Sequence, residues 1–337
     1  MNINSKKRLN KYDNLKGVAI LLIVLMHFDF LRILEPYGNQ FFVLINVPLF
    51  FFIAGYFSKT GPDEPVKNFK RLLLPYIIFC IIYKIFGLMF LGTKSYVNIF
   101  IHPDFALWFL LALFFMKMSL PIVEKFRYPF LVSIICSLLF GFINMEPNIL
   151  AVTRTFGYFP IFMLGFKYKD YKNYVMDNYP KIADYLKNNY VMILILIAFV
   201  IITIFGILSV DDRFFYLKYS YSGDMFLSMI KRAVVLFLAM GWVLILHRFM
   251  PERSSFLTKF GRNSMAVYVL HGFIRQTVRP GLTDFFSAHA AWFPIFLVVI
   301  TFAVTFVLSR DIVNDCVNKL TVGIYNLIMK NDKPASS

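Results

Sequence analysis

Of the 337 residues, 59% are hydrophobic and only 16% are charged, whereas soluble globular proteins are about one quarter charged. This composition excludes an ordinary soluble enzyme and indicates a polytopic membrane protein. The formal net charge of +16 does not indicate a nucleic-acid partner, because excess Lys and Arg in membrane proteins mark cytoplasmic loops.

Apolar runs that are long enough to cross a bilayer recur along the chain. A span needs about 20 mostly apolar residues, so we predict an all-α polytopic membrane protein, a bundle of about ten transmembrane helices. The predicted spans are 15–31, 41–57, 72–91, 105–122, 128–145, 149–166, 190–209, 225–246, 264–283 and 291–312. The predicted inner segments hold roughly three times as many Lys and Arg as the outer ones, which predicts that both termini are cytoplasmic.

The domain organisation follows from the short connections between these spans. We expect a single integral-membrane domain over residues 1–337 with no soluble extracytoplasmic domain, because no connection is long enough to form one. Residues 1–14 form a basic cytoplasmic N-terminus, and the absence of a small-residue cleavage site predicts that the first span is retained. Residues 320–337 are expected to form a cytoplasmic tail.

Cysteine and histidine spacing predicts neither a disulfide nor a metal site. The cysteines lie in or beside apolar runs without paired spacing, at Cys80, Cys136 and Cys316, so they are interpreted as buried small hydrophobes. Interfacial histidines, which need no further explanation, are predicted in outer loops at His102 and His289 and at an inner boundary at His247.

Two further histidines lie inside predicted spans. His27 follows Lys16 by eleven residues, roughly 16 Å along a helix and about half of the hydrocarbon core. His271 follows Arg262 by nine residues, roughly 13 Å from the same side. A neutral imidazole bonded to a backbone carbonyl would explain either histidine alone. The matched depth of the two favours a shared site, because ionisable groups at membrane depth mark sites by default.

Charged residues near these spans can either anchor the protein at the membrane interface or belong to a functional site. Asp13 and Lys16 are three residues apart and can pair on one helix face, either as an interfacial anchor or within a site. Arg154, inside the sixth predicted span, must face the bundle and find an acceptor. A basic cluster precedes the third span, where it can hold lipid headgroups or the phosphates of an anionic substrate, at Lys67, Lys70 and Arg71. On charge alone, headgroups explain it better.

Five segments, in order, resemble the membrane acyltransferase 3 family, and its sugar O-acetylase branch (the fucose 4-O-acetylase-like proteins) most. They are YDNLKGVAILLIVLMH, VPLFFFIAGYF, KNFKRLLLPY, LWFLLALFF and GRNSMAVYVLH. The first carries a basic residue and a histidine separated by ten residues, and the last carries Gly-Arg-x-Ser, Tyr and His. Two departures matter. Lys16 replaces a frequent arginine and loses its planar fork, and Ala54 replaces a frequent serine.

The resemblance implies transfer of an acyl group, usually acetyl from acetyl-CoA, to a hydroxyl of a cell-surface or lipid-linked sugar, in a multi-pass protein of the cell (plasma or inner) membrane. It implies His27 as general base and His271 as second acid/base or orienting group. Further catalytic roles fall to Asp13 and Arg154, which could steady the thioester oxygen or an acceptor phosphate. Donor contacts are expected at Lys16, Lys67, Lys70, Arg71, Trp108, Arg262 and Tyr268. No permanently bound cofactor or metal is expected.

Two other functions are open at this stage. A transporter or flippase for a lipid-linked glycan would use the buried charges as a route, although no inverted half-repeat is visible. A structural subunit of a polysaccharide synthase would leave both histidines idle. Membrane lipid is an expected partner in every case, and a homo-oligomer is compatible with the sequence.

Overall fold

The computed structural model describes residues 9–28, 37–92, 100–288 and 292–329, which form helices and no strand. The α-helices up to the middle of the chain are α1 Asn10–His27, α2 Gly38–Val43, α3 Asn46–Tyr56, α4 Glu64–Asn68, α5 Leu74–Phe90, α6 Trp108–Val123, α7 Pro129–Phe140 and α8 Val152–Asn178. The remaining ones are α9 Pro180–Lys187, α10 Asn189–Ser209, α11 Asp212–Phe215, α12 Met225–Phe249, α13 Phe256–Arg262, α14 Ser264–Ala288, α15 Phe293–Leu308 and α16 Asp311–Ile328.

The all-helical prediction is confirmed for this part of the chain, and the helices are those of a multi-pass membrane protein. Five segments are long and apolar enough to cross a bilayer, namely Gly38–Tyr56, Glu64–Phe90, Ile149–Asn178, Asn189–Ser209 and Met225–Phe249. A sixth is added if α15 and α16, which meet at a bend of 56°, form one broken span. A helix overlaps each of the ten predicted ranges, but length and composition support five or six spans among the described residues.

The other helices are too short or too polar to count as spans by length and composition. The helices α6 and α7 are apolar but have only 16 and 12 residues. The helix α1 carries Lys11, Asp13 and Lys16, and α14 carries His271 and Arg275. The polar residues of α1 and α14 therefore lower their hydropathy.

The structure describes part of each end of the chain. Residues 320–328, predicted to begin the tail, form the second half of α16. Residues 1–8 of the basic N-terminus, residues 330–337 and His289 lie outside the described residues.

The first turns of α1 pack closely against α13, which positions the start of the first helix. A Cβ at Gly17 would overlap the backbone of Leu257, and a Cβ at Gly261 would overlap the backbone of Asp13. Only glycine allows the two backbones to approach this closely. The two predicted motifs at the start and end of the chain therefore meet through their glycines.

Asn14 fixes the same junction through four hydrogen bonds. Its Nδ2 donates to the carbonyls of Pro251 and Arg253, both at 3.0 Å. Its Oδ1 accepts from Ser255 Oγ at 2.9 Å and from Thr258 Oγ1 at 2.6 Å. Asn14 is fully buried, so every one of its hydrogen-bonding positions is satisfied within the protein. The four hydrogen bonds of the Asn14 side chain therefore fix the position of α1 relative to α13.

A single π-helical turn, Phe69–Leu73, joins α4 to α5. Such turns occur as bulges inside longer helices, often at functional sites. Here the bulge holds Lys70 and Arg71, two of the three residues of the predicted basic cluster. The same end of the bundle, here called the basic end, carries Lys11, Lys16, Lys67, Arg71, Lys172 and Arg248.

Candidate functional site

A cavity of about 350 Å³ opens among α1, α3, α4, the π-turn, α6 and α14. Ligand pockets in proteins have volumes of roughly 300–1,000 Å³. Its wall is mostly apolar, with residues that include Ile23, Val47, Phe50, Ile53, Leu110 and Leu113. Its polar lining is Lys16, His27, Glu64, Asn68, Lys67, Arg71, Lys117, Ser264 and Tyr268, with Trp108 beside them.

The two histidines predicted at similar depth are in contact. His27 Nδ1 and His271 Nε2 are 3.1 Å apart, and the other nitrogen of His271, Nδ1, lies 2.9 Å from the carbonyl oxygen of Val267. His27 is partly exposed and lines the cavity, whereas His271 is fully buried behind it. The structure therefore places one imidazole at the cavity and supports it with the other.

The hydrogen bonds set the tautomers of the neutral pair. A carbonyl oxygen only accepts, so Nδ1 of His271 carries the proton and its Nε2 is an acceptor. The contact at 3.1 Å then requires His27 Nδ1 to donate. His27 Nε2 is left with its lone pair, which is the form that a general base needs.

Arg275, one helical turn after His271, holds the end of α1. Its Nε donates to the carbonyl oxygen of His27 at 3.1 Å. Because α1 ends at His27, this carbonyl has no partner within the helix, and a cation there also complements the helix dipole. No motif in the sequence indicated that Arg275 contacts a site residue.

Phe105 covers both imidazoles from a strained backbone. Its ring centroid lies 4.5 Å from that of His27 and 5.2 Å from that of His271. Its φ is +48°, which is uncommon for a bulky residue and is maintained only by surrounding structure. The neighbouring Asp104 forms a salt bridge with Lys84 of α5, with 3.0 Å between Asp104 Oδ1 and Lys84 Nζ. The sequence carries no signal for this conformation.

Asp13 is coupled to the cavity through Lys16. Its carboxylate is 2.7 Å from Lys16 Nζ, and the side chain of Asp13 is 4% exposed. Lys16 lines the cavity and Asp13 does not. The predicted pairing on one helix face is present, and it directs the ammonium of Lys16 while neutralising part of its charge.

The mouth of the cavity is basic. Lys67 pairs with Glu64 at 3.2 Å, whereas Arg71 and Lys117 form no salt bridge among the described residues. Lys117 belongs to α6 and was not identified from the sequence, where it appeared as an isolated charge at the edge of a span. Four cations and one carboxylate therefore surround the mouth, an arrangement suited to a polyanionic ligand.

The start of α14 adds a further anion-binding feature to this mouth. Ser264 and Met265, the first residues of α14, line the cavity. The first amides of a helix are unpaired and favour negative charge. Asn263 fixes this helix start, since its Nδ2 donates to the carbonyl of Ser309 and to Asp311 Oδ1, both at 2.7 Å.

Two predicted donor contacts lie away from the cavity. Lys70 Nζ lies 4.3 Å from the ring centroid of Tyr325 on α16, and it lines a second cavity of about 550 Å³. Lys67 and Arg71 border both cavities. Arg262 is exposed on the last turn of α13 and lines neither of them.

Arg154 lies behind the cavity wall. Its guanidinium is 4.3 Å from the ring centroid of Trp108, which lines the cavity and also stacks on Tyr158 at 5.9 Å. Arg154 itself does not line the cavity. Arg154 therefore packs on an aromatic face and contacts the site through Trp108.

Tyr268 lines the cavity and has a buried hydroxyl. The residue lines the cavity one turn before His271, and its hydroxyl is buried without a well-formed hydrogen bond to any described residue. A buried hydroxyl without a partner costs free energy unless a ligand satisfies it. No group of three or more His, Cys, Asp or Glu suited to a metal occurs among the described residues.

Comparison with known proteins identifies the family of the chain. A search of curated proteins and a search of solved structures each return no match. A family model described as an acyltransferase domain matches residues 9–310, which include α1 to α15 and every residue of the cavity. The chain therefore belongs to the acyltransferase 3 family.

Proposed function

We propose that the protein is a membrane O-acetyltransferase that moves an acetyl group from acetyl-CoA to a sugar hydroxyl. The observation that carries this proposal is the cavity itself, which has an imidazole with a free Nε2 at His27 and a basic mouth. The family supports acyl transfer in a membrane. Acetyl-CoA, the sugar and the branch of the family are our inference from the lining and from the sequence motifs.

His27 is assigned the general base. Its Nε2 removes the proton of the sugar hydroxyl as that oxygen attacks the thioester carbonyl. The resulting imidazolium is stabilised because His271 Nε2 accepts the hydrogen bond from His27 Nδ1. When the tetrahedral intermediate collapses, the C–S bond breaks and the same proton passes from His27 to the leaving thiolate. The products are the sugar ester and CoA, and His27 returns to its starting form.

Tyr268 is assigned to the thioester oxygen. Its side chain lines the cavity, its buried hydroxyl makes no well-formed hydrogen bond to a described residue, and donors aimed at the developing oxyanion accelerate acyl transfer. Arg154, for which the sequence suggested this role, contacts the face of Trp108 instead. We infer that Arg154 positions Trp108 at the wall and does not contact the reacting atoms.

The donor fits the cavity from its basic end. Ten residues of α1 separate Lys16 at the mouth from His27, and the apolar wall between them suits the narrow pantetheine arm. The phosphates would remain among Lys16, Lys67, Arg71, Lys117 and the start of α14. The second cavity continues from Lys67 and Arg71 towards Lys70 and α16, and it would hold the nucleotide.

This route sets the orientation that we propose. Acetyl-CoA is found in the cytoplasm, so the basic end faces the cytoplasm, in agreement with the Lys and Arg distribution of the sequence. Both termini would then be cytoplasmic in a protein of the cell membrane. The acceptor, a hydroxyl of a cell-surface or lipid-linked sugar, would meet the acetyl group at His27.

The transporter alternative is not favoured by the family, and one experiment separates the two functions. Membranes that contain the protein are mixed with acetyl-CoA labelled in its acetyl group and with candidate glycans. We expect labelled glycan and free CoA in equal amounts. A transporter would move glycan across the membrane and leave acetyl-CoA unconsumed, which would contradict the proposal.

A further inference from the structure

A groove separate from the cavity lies at the basic end between α8, α9, α10 and α12. Both α8 and α10 pack on α9 and on α12, so α12 forms the floor and α9 closes one end. The groove encloses about 640 Å³. It shares no lining residue with the cavity that holds His27, and nothing in the proposed reaction uses it.

The interior of the groove is apolar. Its deeper walls are formed by Leu164, Met192, Ile195, Phe199, Leu244 and Ile245. Side chains along it are left open, since Ile195 and Leu244 are each 38% exposed and Met176 is 43% exposed. Large apolar side chains that line a concave surface indicate a site for an apolar group.

The one polar side chain in the floor is already satisfied. His247 Nδ1 and Tyr168 Oη are 3.2 Å apart, and His247 Nε2 and Tyr12 Oη are also 3.2 Å apart. Both ring nitrogens are therefore occupied within the protein. A sugar or another polar solute would find no free nitrogen on His247, whereas a hydrocarbon chain requires no hydrogen bond.

The rim of the groove is basic. It holds Lys11, Lys172, Lys187 and Arg248 and no carboxylate. Lys187 pairs with Asp184 at 3.0 Å, and Arg248 donates to the carbonyls of Leu186 and Lys187 at the end of α9.

Two of these cations are left for a ligand. Lys11 and Lys172 form no salt bridge among the described residues. Lys11 lies within electrostatic range of Lys172, which repels it, and of Glu252, which attracts it. Both lysines line the groove together with its apolar side chains, so one ligand could contact the two positive charges and the apolar interior.

We propose that this groove binds an acidic membrane phospholipid, with its phosphate between Lys11 and Lys172 and one acyl chain along α10 and α12. The charge of the rim complements a phosphate, and the apolar floor complements an acyl chain. A soluble phosphate would leave the apolar floor uncovered. A zwitterionic lipid would bring no net negative charge to the lysines of the rim.

The test is thermal unfolding of the purified, detergent-solubilised protein titrated with dioctanoyl phosphatidylglycerol. Ligands that bind the folded state raise the melting temperature in a saturable way. Dioctanoyl phosphatidylcholine and inorganic phosphate serve as the lipid and the anion controls. We expect a saturable rise with phosphatidylglycerol alone.

Matched variants separate the rim from the floor. Lys11→Gln with Lys172→Gln should weaken the apparent affinity about 25-fold, or roughly fivefold for each lysine. Lys59→Gln with Lys125→Gln, two exposed lysines away from the groove, should leave it unchanged. Ile195→Trp should remove the saturable rise by filling the groove, whereas Ile193→Trp, on the same helix but outside the groove, should retain it.

Three outcomes would overturn the proposal. They are an equal rise with phosphatidylcholine, full competition by inorganic phosphate, and equal weakening by the two lysine pairs. Because Lys172 and Ile195 lie on different helices, misfolding of one variant leaves the other as a test. Acetyl transfer is not measured here, so failure of this proposal is independent of the proposed function.

Discussion

The cavity and the groove each hold a histidine behind a basic rim, but the two imidazoles differ in what occupies their nitrogens. In the cavity, His27 donates from Nδ1 to His271 and keeps Nε2 available. In the groove, His247 contacts a tyrosine hydroxyl at both nitrogens. Their local surroundings alone would not separate these residues, since both lie near helix ends among aromatic rings. The free nitrogen is the feature that permits chemistry.

The largest effect is expected for His27→Ala. Loss of a general base reduces turnover about 10²- to 10⁴-fold, while the protein should remain folded because His27 is partly exposed at the end of α1. The measurement is the initial rate of acetyl transfer from labelled acetyl-CoA, normalised to the amount of monodisperse protein. A folded variant with more than a tenth of the wild-type rate would contradict the assignment of His27.

A smaller loss is expected for His271→Leu. This change removes the acceptor of the His27 hydrogen bond, and a hydrogen bond to a charged group contributes about 1.5–3 kcal/mol, so kcat should fall roughly 10- to 100-fold. The KM for acetyl-CoA should remain unchanged because His271 does not line the cavity.

His271→Gln is the matched control for the previous variant. Its amide oxygen can accept from His27 Nδ1, so it should restore part of kcat. Equal rates for the Leu and Gln variants would show that His271 supports only packing.

How far the sequence predicts this site can be judged residue by residue. The resemblance to the family implied site roles for His27, His271, Lys16, Lys67, Arg71, Trp108 and Tyr268, which the structure brings together around the cavity. It also predicted Lys70, Arg154 and Arg262, which lie outside the lining. A spacing rule gives the position of a residue along a helix, but the face that borders a cavity depends on how the helices pack.

Other features depend entirely on contacts between distant segments. The hydrogen bonds of Asn14 reach residues more than 230 positions away, and the contact of Arg275 with His27 spans 248 positions. The positive φ of Phe105 follows from its surroundings and not from its own preference. Length and composition show five or six of the about ten predicted spans among the described residues. A helix buried against protein need not be as long or as apolar as one that meets lipid.

The basic mouth of the cavity is tested by Arg71→Gln with Lys117→Gln. Each cation is expected to contact a donor phosphate, so the KM for acetyl-CoA should rise about tenfold for each change, with kcat nearly unchanged. Lys125→Gln, an exposed cation away from the cavity, is the control.

The exposed Arg262 provides a further comparison. Arg262→Gln should raise KM less than Arg71→Gln, because Arg262 lies outside the cavity lining. A larger rise with Arg262→Gln would show that the donor approaches along α13 and not across the π-turn.

The smallest effect on catalysis is expected at His247, both of whose ring nitrogens contact tyrosine hydroxyls. Tyr12→Phe removes one of these two partners. The variant leaves His247 Nε2 buried without a hydrogen bond, which costs about 1–3 kcal/mol of folding free energy. The melting temperature should therefore fall by several degrees, whereas kcat measured on folded protein should change less than threefold. Tyr190→Phe, at a tyrosine that is 82% exposed, should change neither. A loss of kcat in Tyr12→Phe as large as that in His271→Leu would mean that the two histidines do not differ in kind, and that the cluster around His247 takes part in the reaction.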